Sequence, residues 1–395
     1  MKRIFINLNS PDGCTLHRLI IPYSEVIKQT DEFQFTWGYS KSDLTLQEKI
    51  DEIGKHDILL FHRLLPDGLL EGLKKQYPNV KVVMDVDDYW RLNDMHPAYW
   101  LYKSMNIPEK ILYHLKNVDC VTCTTEYLAK KIKDFNKNVT VFPNALKAEG
   151  QFKPNPIPST KLRFGLIGGS SHVKDIELLE GVVNQLPKDI LNQVQFVLCG
   201  FDKGIYHTPD GKTAQMPWEE NKWTDVERLL TNNYNTISSE HKDFLKKYEW
   251  KLEFNSDEPY KRVWTKDIKE YATSYNEIDV LLVPLIGNDF TACKSELKLV
   301  EASVMNKAVI VSDVAPYTNC GINAIEKGGT INPNGNCIMI NNNKGSKAWV
   351  KAIVKLVKDK ELLDMIKNNL SKLTESGKYC LTDLTKERIK YLEAL

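Results

Sequence analysis

The feature that most restricts the fold is a rhythm of short, nearly unbroken apolar runs separated by stretches with helical spacing. In the first half the runs are "RIFINL", "DILLFHR", "VKVVMDVD", "CVTCTT" and "VTVFPN". In the second they are "LRFGLIGG", "VQFVLCG", "IDVLLVP" and "AVIVSD". A strand with one wet face alternates polar and apolar residues, whereas a strand covered by helices on both faces has no need to. The runs therefore predict parallel sheets between helical layers, and their two series predict two doubly wound α/β domains. Between the series lies "LKAEGQFKPNPIPSTK", rich in proline and polar residues, which reads as a linker. It sets an N-terminal domain over 1–155 and a C-terminal domain over 156–381. The last stretch, 382–395, reads as a terminal helix that can pack back on the first domain. Residues 201–265 interrupt the second rhythm. They are dense in aromatics (Tyr206, Trp218, Trp223, Tyr234, Trp250, Tyr260, Trp264) and suggest an insertion with its own small core.

Composition narrows the functional classes. A chain of 395 residues suits two cores better than one. With 42% hydrophobic and 27% charged residues it is ordinary for a soluble globular protein. A formal net charge of +1 supplies no general field for nucleic acid, so no nucleic-acid partner is expected. No apolar run approaches the length of a membrane span. The opening "MKRIFINLNS" is a strand rather than a signal peptide, because its apolar stretch ends at Leu8 and "NSPDG" follows. The cysteines are scattered. Cys120 and Cys123 form a C-x-x-C, but no second pair completes a zinc site, and three-residue spacing on a strand turns them to opposite faces. Buried free thiols in a reducing compartment, the cytoplasm, are the expectation.

Ligands of open α/β sheets collect beyond the carboxyl ends of the strands. After "LRFGLI" comes "GGSSHVKD". Gly168 and Gly169 allow a tight turn and a close backbone approach, and Ser170 or Ser171 can cap the next helix, whose first amides suit an anion. His172 and Lys174 are cations where a helix dipole disfavours them, a placement that an anion would justify. The spacing does not give the G-x-G-x-x-G of dinucleotide binders. A second helix follows "IDVLLVP" and its loop, with an N-terminus around Ser295, Glu296 and Leu297. Within it Leu297, Val300 and Val304 mark an apolar stripe, and Glu301 sits inside that stripe. A carboxylate on the core side of a helix is costly unless something polar meets it. Ribose hydroxyls would serve, and so would an internal salt bridge to Lys298 or Lys294.

The segment "KSELKLVEASVMNKAVIVSD" resembles the donor-site segment of retaining GT-B glycosyltransferases, specifically glycosyltransferase family 4. The resemblance takes in "GCTLHRLIIP", "CVTCTTEYLAKKI", "VTVFPNAL", "FGLIGGSSHVKD" and "YATSYNEIDVLLVPL" in the right order, and so covers most of the chain. It implies the GT-B fold, two Rossmann-like domains facing a central cleft. It also implies a nucleotide-diphospho-sugar substrate, a glycan or lipid-linked acceptor, retention of configuration, and no metal or other cofactor. A setting in bacterial surface polysaccharide assembly follows, in the cytoplasm or at the inner membrane face, with room for peripheral membrane contact. Family members often carry two Glu residues with seven between them. Here Glu301 matches the second, the ribose ligand, while Cys293 stands in place of the first. Lys294 and Ser295 are candidates for its polar role, as in a K-S-x-L-K branch. The diphosphate clamp keeps a lysine at Lys174 but has Gly169 where an arginine is usual.

On the acceptor side, "MDVDDYW" offers Asp85, Asp87 and Asp88 after a strand. Its D-x-D is the metal motif of the other glycosyltransferase fold, GT-A, and oxygen ligands suit Mg²⁺ or Mn²⁺. In the GT-B reading Asp87 or Asp88 instead contacts substrate, or caps and hinges the loop. Gly13 gives a flexible loop, and His17 and Arg18 on the helix after it either touch the acceptor or the donor phosphate or decorate the surface. His62 and Arg63 also follow a strand. Trp264 either stacks on the nucleobase or belongs to a core. Asp87, Asp88, Lys174 and Lys294 are thus the candidate catalytic residues. A sugar-nucleotide epimerase of the same fold and an inactive sugar-nucleotide-binding module are the alternatives.

Overall fold

A computed structural model of the chain describes residues 1–9, 12–39, 43–94, 96, 98–168, 172–200, 205–207, 213–215, 225–226, 229–230, 260–263 and 265–395. It divides into two compact units. The first comprises Met1–Lys147, Asn288–Val300 and Thr374–Leu395, and the second Ala148–Gly287 and Glu301–Leu373.

The first unit is built on β1 (Lys2–Leu8), β2 (Phe33–Tyr39), β3 (Ile58–His62), β4 (Lys81–Val86), β5 (Cys120–Cys123) and β6 (Val139–Val141). All neighbours pair in parallel, in the order β2-β1-β3-β4-β5-β6. Every residue of β3 is buried, which is why its sequence reads as an unbroken apolar run. One face packs Phe5, Leu59, Phe61, Met84 and Val121 under helices that include Leu69–Gln76 and Ile107–Asn117. The other packs Ile4, Ile6, Leu60 and Val83 against Tyr23, Val26 and Leu392, so the C-terminal helix Leu381–Ala394 belongs to this unit. Local signals agree with the chain path. Thr45 and Glu48 form a reciprocal capping box at the start of helix Leu46–Ile53, satisfying two amides that the helix leaves open.

The second unit contains β7 (Leu162–Gly168), β8 (Val194–Gly200), a small antiparallel pair β9 (Ile205–His207) and β10 (Thr213–Gln215), then β11 (Tyr260–Val263), β12 (Val280–Val283), β13 (Ala308–Ser312) and β14 (Ile338–Ile340). Its main sheet is again parallel, ordered β11-β8-β7-β12-β13-β14. Tyr260 lies in this sheet, fully buried beside Phe196 with ring centroids 6.2 Å apart, rather than in a separate aromatic core. Of the stretch expected to be an insertion, most residues, Trp218, Trp223, Tyr234 and Trp250 among them, lie outside the described residues.

In both sheets the chain builds outward one way and then crosses back, placing the topological switch points between β1 and β3 and between β7 and β12. Those two crevices, at the carboxyl ends, are where this architecture leaves room for a ligand. Among the described residues no helix is long and apolar enough to cross a membrane.

Candidate functional site

At the first switch point the backbone is fixed before any side chain acts. The Asn9 amide donates to the carbonyls of both His62 (2.6 Å) and Leu64 (3.0 Å). The Arg63 amide donates to the Asp85 carbonyl at 2.9 Å. Between these ties Arg63 adopts φ 60°, a left-handed conformation that a residue with a Cβ rarely takes. Backbone strain held by its surroundings in this way concentrates at functional sites.

This pinning gathers five of the sequence-predicted residues. His62 Nε2 lies 2.8 Å from Asp87 Oδ1, and Arg63 Nε donates to the same oxygen at 2.8 Å. The Arg63 guanidinium is also 3.3 Å from Asp88 Oδ2, and Lys294 Nζ stands 3.5 Å from that oxygen. Lys294 sits 4.8 Å from the centre of the Phe290 ring, a cation–π contact. Burial opposes the charge on Asp87, but Arg63 and then His62 override it and hold the carboxyl well below its usual range. The neighbouring Cys14 thiol is pushed up, first by Asp87 and then by burial, so it is no thiolate nucleophile. The cluster thus presents two carboxyl groups, an imidazole and two cations, groups able to orient hydroxyls and meet negative charge.

Asp85 faces elsewhere. Arg18 grips it with Nε and Nη2, both at 2.8 Å, and Thr122 Oγ1 donates to it at 2.6 Å. Arg18 Nη1 reaches the Phe142 carbonyl (2.8 Å) and Asn144 Oδ1 (2.9 Å), and Asn144 Nδ2 donates to Ser295 Oγ at 2.9 Å. Arg18 was expected at the acceptor, at the donor phosphate or on the surface. It is instead 1% exposed, its guanidinium committed to a buried ion pair and two further acceptors. His17 is likewise buried. At Gly13, a Cβ would meet open space, so close backbone approach does not explain that glycine. Among the described residues no group of three acidic, histidine or cysteine side chains is gathered as for a metal.

At the second switch point Gly169 and Ser170 lie outside the described residues, as does Trp264. Gly168 ends β7 opposite Gly200, which has φ 82° and where a Cβ would fall 2.3 Å from the Gly168 carbonyl oxygen. The helix expected after this turn is a single short segment, Val173–Ile176, followed by the 3-10 turn Glu177–Leu179. Its cations have acidic partners: His172 Nδ1 is 3.0 Å from Asp175 Oδ2, and Lys174 Nζ is 2.7 Å from Glu177 Oε1. Their placement therefore does not by itself require an anion. Asp175 also accepts from the Ile286 amide at 2.9 Å, tying the loop after β12 to the turn after β7.

Glu301 is met by two phenols. Tyr271 donates to Oε1 at 2.5 Å and Tyr275 to Oε2 at 2.6 Å. The carboxylate is 1% exposed, on the helix Leu297–Val304. The salt bridge to Lys294 considered from the sequence does not form. Lys294 sits at Asp88 instead, and Glu296, another buried acid, offers its carbonyl to the amides of Leu299 and Val300 as that helix begins. The tyrosines were legible as a pair four apart in "YATSY", but nothing local named their partner. Asn9, Asn144, Asp175 and Gly200 were also missed, because their roles depend on distant backbone atoms.

Two parallel α/β domains with polar groups at the carboxyl edges define the GT-B class of fold. Solved structures of that class superimpose over the whole chain. Sucrose-phosphate synthase from Thermosynechococcus elongatus does so with a TM-score of 0.65 at 12% identity, over 100% of this chain and 99% of that one. HepE from Anabaena, in complex with UDP and glucose, gives 0.61 at 11% identity over 100% of both chains. An alpha-glucosyltransferase in complex with UDP and a 13-mer DNA gives 0.60 at 13% identity over 99% of each. No protein-family profile and no curated protein sequence matches the chain.

Proposed function

We propose that this protein is a glycosyltransferase moving a sugar from a nucleotide-diphospho-sugar to a glycan or lipid-linked acceptor. The observation that carries the reading is the His62, Arg63, Asp87, Asp88 and Lys294 cluster at the carboxyl edge of the first sheet, in a fold whose solved neighbours hold UDP and UDP-glucose. In this reading the second domain takes the donor. Glu301, its two oxygens already taken by Tyr271 and Tyr275, holds the helix of the donor site rather than reaching the ribose, while Gly168, Gly169 and Ser170 let the backbone approach the diphosphate. Lys174 and His172 meet its charge, and Trp264 stacks on the base. His62, Arg63, Asp87 and Asp88 hold the acceptor. The chemistry is positioning and stabilisation of the departing diphosphate. The family 4 resemblance adds retention of configuration, independence from metal, and a role in surface polysaccharide assembly at the cytoplasmic membrane face.

The test is incubation with UDP-, GDP- and dTDP-sugars, with and without EDTA. Slow release of free nucleotide that survives EDTA is expected. An isomerised sugar would point to an epimerase, and binding without turnover to an inactive module. Loss of turnover restored by Mn²⁺ would overturn metal independence. Absence of any nucleotide binding by calorimetry would overturn the whole reading.

A further inference from the structure

The charge of the chain is nearly balanced, with a net value of +1, yet residues 344–360 carry six lysines and a single acid, Asp359. Thirteen of these residues form the helix Ser346–Lys358. At about 100° per residue, Lys347, Lys351, Lys355 and Lys358 fall within roughly 80° of arc. Trp349, Ala352, Ile353 and Leu356 are buried on the opposite side. Val350, Val354 and Val357 form a half-buried row between the two and line an open groove of 840 Å³ that Gln185 and Pro187 bound on its far side. Lys355 pairs with Asp359 at 2.8 Å. Lys344, Lys347, Lys351 and Lys358 are exposed and have no acidic partner among the described residues.

We propose that this lysine face is a docking surface for an anionic lipid bilayer. Charge complementarity selects the partner. A row of ammonium groups beside a valine row is the pattern of a helix lying along a charged membrane surface, apolar stems low and charges in the headgroup layer. The stripe contains no arginine and no exposed aromatic ring. It therefore lacks the planar forks and stacking platforms by which proteins grip nucleic acids, and offers the point charges that a diffuse anionic surface attracts. A solvated face of an ordinary surface helix would intersperse acids among the lysines, which this one does not until Asp359. The surface gives the proposed lipid-linked acceptor a physical route to the enzyme. It rests on that reading for its purpose, but not for its measurement.

The experiment is sedimentation of the full chain with phosphatidylcholine vesicles with and without phosphatidylglycerol. Binding only to the anionic vesicles is expected, and it should fall as salt shortens the Debye length. The combined substitution Lys344→Gln, Lys347→Gln, Lys351→Gln and Lys358→Gln should weaken it by roughly tenfold or more. Lys75→Gln, Lys130→Gln, Lys133→Gln and Lys137→Gln together remove the same charge from exposed positions of the first unit and should leave most binding intact. Equal losses in the two variants would overturn the proposal, as would no binding to anionic vesicles. Tighter salt-matched binding to single-stranded DNA than to vesicles would also overturn it. Calorimetry with UDP on the wild-type chain keeps the two readings apart: nucleotide binding without binding to anionic vesicles would remove only the docking surface, and vesicle binding without nucleotide binding only the transferase.

Discussion

Replacing Tyr275 by phenylalanine removes one of the bonds that hold Glu301 in the core. Tyr275 is fully buried and Glu301 is 1% exposed, so the 2.6 Å bond between them is shielded from water. The ring stays in place in Tyr275→Phe, and little beyond one donor to a carboxylate is lost. Hydrogen bonds to charged groups are worth about 1.5–3 kcal/mol net, and a low local dielectric favours the upper part of that range. For a domain of this size, such a loss lowers the melting temperature by roughly 3–12 °C. Calorimetric scans of the wild type and variant measure it. Tyr271→Phe should cost less, because the Tyr271 residue is partly exposed whereas Tyr275 is fully buried. Burial first, and then the Glu301 charge, push both phenols well above the ordinary tyrosine range. Absorbance titration should therefore show the same number of tyrosines ionising near pH 10 in the wild type and in Tyr275→Phe. A melting temperature unchanged by Tyr275→Phe, or lowered more by Tyr271→Phe, would refute the two-phenol account of Glu301.

Three further outcomes follow from buried charges. Arg18→Met or Asp85→Leu alone should cost about 3–5 kcal/mol in urea unfolding, because each strands the other charge, and the double variant should cost clearly less than the sum. Burial pulls the Lys307 ammonium down from 10.5 to about 8, at a site 4% exposed. Below pH 8 folding must bury a charge that the unfolded chain keeps in water, so Lys307→Met should stabilise by about 2–3 kcal/mol at pH 7. That gain should fade as pH rises from 8 towards 10.5, since both states then hold a neutral amine. Asp87 has the opposite linkage. Its folded carboxyl titrates well below the ordinary 3.8, so its contribution is present above that pH and lost as pH falls through the depressed value. Asp87→Asn should cost about 2–4 kcal/mol near neutrality, and its acid unfolding curve should converge on that of the wild type at low pH.

Sequence alone determined the layers of this protein. Both sheets are covered on two faces, so most strands read as apolar runs within a few consecutive residues, whereas β2 and β11, which carry polar or charged residues, were not legible that way. The first helix turn after Gly13, the glycine end of β7 and the acid inside the stripe of helix Leu297–Val304 were visible for the same local reason. Only the tertiary structure decided what the polar residues do. Arg18 meets Asp85 across 67 positions of chain, Asn144 meets Ser295 across 151, and Lys294 meets Asp88 across 206. No period or spacing encodes such a partner, because a charged side chain has the same preference for an opposite charge wherever the fold delivers one. Arg18 shows the consequence. Its position on an early helix suggested an exposed cation, but the fold buries it beside Asp85 and two carbonyl acceptors, and there an ion pair is what lets its charge be kept.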